Sequence, residues 1–138
     1  MDMKRIAIII GHALVGWVLC GAVVWVGQEL ATMETTLIAH AMAVPFIFAG
    51  VTWCYFKRFA YTSPLQTACV FLAVVVLLDF FLVALLFERS VAMFRSVSGV
   101  WVPFALIYVS TYVSGILSRR YSKSDAGLQN KRMKQQTS

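Results

Sequence analysis

Asp79 stands alone in the most apolar run of the chain, Val70 to Phe87 (VFLAVVVLLDFFLVALLF). A carboxylate at the centre of a membrane helix costs roughly 2.5 kcal/mol or more, so this side chain is expected to face protein or water rather than lipid. Two kinds of chemistry are then open to it. A carboxyl group near histidine and hydroxyls can relay protons or hold a cation, the usual employment of ionisable groups inside membranes. The same groups can instead knot neighbouring helices together, each hydrogen bond contributing about 0.6 kcal/mol. Counted along the expected helices, His40 falls about one turn beyond Asp79, with Tyr108 and Ser110 at similar depth. The candidate proton, cation or substrate site is therefore Asp79 with His40, Tyr108 and Ser110.

His12 is a secondary candidate on helix one, about 9 Å from the helix end and roughly 15 Å from His40 in depth. One haem iron cannot be ligated axially from both levels, so the pair does not specify a haem, and no cofactor is expected. Cys20, Cys54 and Cys69 form no C-x-x-C motif, and no metal site follows from them. There is no glycine-rich phosphate loop, no H-E-x-x-H and no nucleophile elbow. A soluble-type active site is excluded on these grounds, and no enzymatic activity is expected.

These residues need a scaffold. The chain has 138 residues, is 60% hydrophobic and 13% charged, and has a mean hydropathy of +0.78. So short a chain cannot hide that much apolar surface from water, which leaves the bilayer as its solvent. Apolar stretches over 6–27, 36–56, 65–87 and 100–117 are each long enough to cross a hydrocarbon core. They lack the alternation of barrel strands, and backbone groups in lipid need partners within their own segment. The expectation is all-α: a polytopic membrane protein with a four-transmembrane-helix bundle over 1–118. Helix one continues through Val23 to Val26, too long for the apolar core of a signal peptide.

Charge placement sets the expected orientation. Lys4 and Arg5, then Lys57 and Arg58, then Arg119, Arg120, Lys123, Lys131, Arg132 and Lys134 make up ten of the twelve basic residues. Arg89 and Arg95, beside Glu29, Glu34 and Glu88, are left for the first and third loops. The positive-inside rule then puts both termini and the second loop in the cytoplasm, in a cytoplasmic (inner) membrane. Residues 119–138 are polar and without periodicity, so a basic disordered tail is expected, able to bind anionic lipids. Nucleic acid is a poor partner because no folded basic face or stacking platform accompanies the charges. The third loop, Glu88 to Gly99, reads either as an interfacial helical turn or as a solvated loop.

Smaller features locate seams and ends. Ser63-Pro64 with Gln66 is a helix start: a cap, a proline at the first position and a capping-box partner. His12, Gly16 and Cys20 on helix one, and Ala39, Ala43 and Gly50 on helix two, read as small-residue packing seams. Ser110, Thr111, Ser114 and Ser118 give helix four a hydroxyl-rich side. Pro45 and Pro103 are expected to kink or open helices two and four.

Tyr61-Thr62-Ser63-Pro64-Leu65-Gln66-Thr67-Ala68, Asp79-Phe80-Phe81, Trp101-Val102-Pro103-Phe104 and Ser110-Thr111-Tyr112 together resemble a group of small four-helix bacterial integral membrane proteins. That resemblance implies the architecture and supplies no activity. In size and helix count the chain is also similar to small multidrug-resistance transporters, which use a glutamate in their first helix. Helix one here has no acid, so that mechanism is not carried over. Two functions lead: a non-enzymatic interaction or accessory subunit, associating with itself or a membrane-protein partner, and an oligomeric proton- or cation-coupled transporter using Asp79. A membrane-bound enzyme or quinone-linked redox protein comes third, since one acid and two histidines at different depths offer too few converging groups.

Overall fold

The computed structural model describes residues 2–82 and 101–137. They form four helices: α1 (Met3–Leu30), α2 (Met33–Arg58), α3 (Pro64–Leu78) and α4 (Val102–Gln136). All four are long and apolar enough to cross a membrane, α3 when its continuation to Leu82 is included. The third loop and the last turns expected of helix three lie outside the described residues.

Around the bundle, α1 packs on α2, α2 on α4, α4 on α3 and α3 on α1. Consecutive helices α2 and α3 thus sit across a diagonal. Large aromatics fill the space between them: Phe48 meets Phe71 edge-on at 6.1 Å, and Tyr55 meets Phe71 at 6.5 Å. On α1 the inward stripe is Ile9, Ala13, Gly16 and Cys20, and on α4 it is Phe104, Ile107, Thr111, Gly115 and Ser118. Both repeat every three or four residues, the spacing that returns a side chain to one helix face.

Three glycines set how closely the helices approach, among them Gly27, where a Cβ would lie 2.5 Å from Thr36 Cγ2. A Cβ on Gly16 would lie 2.9 Å from the Phe48 ring, and one on Gly115 would lie 2.9 Å from both Phe56 and Pro64. The seam expected on α2 is corrected by this packing. Ala39 and Gly50 are exposed, and Val44, Phe48, Thr52 and Tyr55 point inward instead. Diagonal contact with α3 demands bulk there, and small residues cannot supply it.

Capping follows the sequence signals. Ser63 Oγ accepts from the Gln66 amide at 3.2 Å, and Gln66 Oε1 accepts from the Ser63 amide at 3.1 Å, completing the box. Pro103 stands at the start of α4, where a missing N–H is no loss, and α2 runs unbroken through Pro45. One expectation fails: α4 continues past Leu117 to Gln136, so the basic tail is helical where disorder was expected. A span already formed removes the nucleation cost, and Arg, Lys, Ala, Leu, Met and Gln then propagate the helix readily. The tail makes few contacts, among them Tyr121 against Trp53 at 6.1 Å.

The outer faces remain apolar. Phe46 is 78% exposed and Trp25 69%, amid a nearly continuous coat of aliphatic side chains. Such a surface is untenable in water and ordinary against acyl chains.

Candidate functional site

Asp79 sits where α3 changes character. Its amide is shared between the carbonyls of Val75 and Val76, and over 79–82 the helix widens into a π-type turn. Such interruptions re-aim side chains and recur at functional positions. The half-buried carboxyl turns toward α1, where Trp17 Nε1–H donates to Oδ1 at 2.7 Å. Cys20, one turn further along α1 and buried, lies within electrostatic range of the same carboxyl. Heights agree, since Trp17 is about 21 Å along α1 from Met3 and Asp79 about 22 Å along α3 from Pro64.

The other expected members of the site are dispersed. His40 is half-buried near the far end of α2, and its buried Nδ1 has no hydrogen-bond partner among the described residues. Ser110 Oγ donates to the Ile107 carbonyl of its own helix at 3.2 Å. The Gly115–Pro64 contact sets the register of α4 against α3. Tyr108 lies about 10 Å above that level, well short of the 22 Å of Asp79. Asp79 therefore meets Trp17 of α1, and no hydrogen bond among the described residues joins it to His40, Tyr108 or Ser110.

His12 belongs to the opposite end of the bundle. Its Nδ1 lies 2.8 Å from the Ile8 carbonyl, and its ring meets Tyr55 and Phe59 edge-on at 5.5 and 5.6 Å. Beside it runs a buried hydroxyl chain that sequence reading missed. Tyr55 Oη bonds Thr62 Oγ1 at 2.9 Å, Thr62 Oγ1 bonds Thr67 Oγ1 at 2.7 Å, and Thr67 Oγ1 donates to the Ser63 carbonyl at 3.0 Å. Arg119 closes the cluster by donating to the Thr62 carbonyl at 2.7 Å, its guanidinium over the Phe56 ring. Arg5 lies 5.0 Å over Tyr61. The start of α1, the α2–α3 turn and the middle of α4 thus meet at one end of the molecule. Within that turn Ala60 holds φ +48°, a left-handed conformation that a Cβ disfavours.

No group of three or more His, Cys, Asp or Glu side chains able to hold a metal occurs among the described residues. No protein-family model, curated protein or solved structure matches the chain.

Proposed function

We propose that this chain is a small multi-pass protein of the cytoplasmic (inner) membrane, working without catalysis as an interaction or accessory subunit that associates with itself or with a membrane-protein partner. One observation carries the reading: Trp17 engages the lone acid of the spans across the α1–α3 seam, so Asp79 acts as interhelical glue. Orientation with both termini in the cytoplasm rests on basic residues at one end, where Arg5 and Arg119 flank the α2–α3 turn and Lys57 and Arg58 close the last turn of α2. Anionic lipid headgroups are the natural partners of Arg120 and Lys123, just beyond the span. Lys131 to Lys134 lie about 18 to 22 Å further along α4 than Arg119, more than twice a Debye length.

A second reading has its own support. Only Oδ1 of Asp79 is engaged by Trp17, at an interrupted turn of a half-buried helix face, which suits a proton- or cation-coupled transporter working as an oligomer. Asp79→Asn separates the two because it keeps a carbonyl acceptor for Trp17 and abolishes titration. Proton flux into proteoliposomes, read with an internal pH dye under an imposed potential, is expected to be absent for wild type and variant alike. Flux in wild type that vanishes in Asp79→Asn at unchanged thermal stability would overturn the glue reading in favour of coupling.

A further inference from the structure

Between α1 and α2, on the outer surface of the bundle, runs an open groove of about 680 Å³, lined mainly by aliphatic and aromatic side chains with Gly11 and Gly50 in its walls. Its size falls within the range of small-molecule sites. A Cβ at either glycine would meet nothing within 4 Å, so the slot is real space rather than a crowded seam. The polar side chains on its lining are His12 and Cys54.

His12 determines what kind of molecule the groove suits. The Ile8 carbonyl can only accept, so the Nδ1 facing it at 2.8 Å must carry the proton. In the neutral ring that leaves Nε2 as a lone-pair acceptor. Nε2 has no hydrogen-bond partner among the described residues, yet it is not among the buried unpartnered atoms, so it is accessible. Edge contacts with Tyr55 and Phe59 hold the ring in place. A preoriented acceptor on an otherwise greasy slot selects a long apolar molecule that brings one hydrogen-bond donor.

We propose that this groove binds a hydroxyl-headed lipid, a long-chain or isoprenoid alcohol or a quinol, with its O–H donated to His12 Nε2 and its apolar body along Val15, Leu19, Phe46 and Ile47. Phosphatidylcholine has no N–H or O–H to donate and occupies the groove only as solvent. A second copy of the chain is the competing occupant, and it would respond to protein dilution rather than to added alcohol.

Cys54, exposed on the groove lining, reports occupancy, and Cys69, exposed and off that lining, serves as the internal reference. The full-length protein in phosphatidylcholine nanodiscs, one chain per disc, is alkylated with N-ethylmaleimide in the presence of farnesol or its methyl ether, and each cysteine is quantified by mass spectrometry. Farnesol is expected to protect Cys54 at about two- to tenfold lower concentration than the ether, the span that one net hydrogen bond allows. Cys69 is expected to be unaffected. In His12→Phe, which keeps a ring against Tyr55 and Phe59, the preference is expected to vanish. Equal protection by alcohol and ether in the wild type, no protection by either, or a preference that survives in a folded His12→Phe each overturns the proposal.

Discussion

Deleting Trp17 and Asp79 separately and together measures what their contact contributes. The N···O distance of 2.7 Å is at the short end of the N–H···O range, and the partners are 62 residues apart in sequence, so the bond clamps two helices that nothing local holds together. Side-chain hydrogen bonds between membrane helices average about 0.6 kcal/mol and reach about 1.7. A bond this short on a half-buried carboxyl belongs in the upper part of that span, and a coupling energy of about 1 to 1.5 kcal/mol is expected between Trp17→Phe and Asp79→Ala. Lost ring area in the tryptophan variant cancels in the cycle. Asp79→Asn keeps an acceptor at the position of Oδ1 and is expected to stay within about 0.5 kcal/mol of wild type. Reversible unfolding in mixed micelles, followed by far-ultraviolet circular dichroism, supplies the energies. The indole N–H resonance lost in Trp17→Phe should also move upfield in Asp79→Ala. A coupling below about 0.3 kcal/mol, within ordinary additivity error, refutes the clamp. So does an asparagine variant as damaged as the alanine one.

Three other outcomes test the packing. Gly115→Ala drives a methyl into Phe56 and the Pro64 backbone and is expected to destabilise by about 1 to 3 kcal/mol, whereas Gly21→Ala, with open space around it, should gain up to about 1 kcal/mol of helix propensity. The same unfolding titration checks both, and equal effects would contradict the close approach at Gly115. Tyr55→Phe removes one member of the buried hydroxyl chain and is expected to lose about 1 to 3 kcal/mol, because Thr62 and Thr67 cannot turn to water for a replacement. Deleting 122–138 should lower the helical signal roughly in proportion to the residues removed while shifting bundle stability by less than about 0.5 kcal/mol, since the described residues beyond Tyr121 are all exposed. A fall in the unfolding midpoint would reveal a structural role for the tail.

The architecture was legible because it rests on composition. Lipid tolerates only segments that satisfy their own backbone, so four apolar stretches of sufficient length could only be four helices. The Ser63–Gln66 cap was equally plain, being local chemistry within four residues. Which face of each helix turns inward was harder. In a soluble helix polarity marks the outside, but here both sides are apolar, and the inward faces of α2 and α3 are distinguished by bulk: Phe48, Tyr55 and Phe71 rather than the small stripe Ala39, Ala43 and Gly50. The helical tail was missed for another reason. Composition describes a segment in isolation, whereas residues 119–136 inherit a helix already nucleated by the span before them.

Trp17 escaped the sequence reading because a search for partners of an acid looks first to histidine and hydroxyls. The signal was present. Trp17 lies about 21 Å from the start of α1, deep within the span, where an interfacial ring has no business and where a buried indole N–H must find an acceptor. Asp79 is an acceptor lacking a local donor at almost the same height on α3. Each group alone is a liability in hydrocarbon, and each removes the other's, which is a stronger reason to pair them than any shared depth with His40, whose Nδ1 remains unpartnered among the described residues. The same reasoning tells glue from coupling. An acid held by an indole keeps its partner whether or not it carries a proton, because Trp17 Nε1–H donates to a carboxylate oxygen or to the carbonyl oxygen of the acid form alike. Titration therefore need not release α1 from α3, and a conformational cycle driven by protonation would need a second contact at Asp79 that opens with the proton.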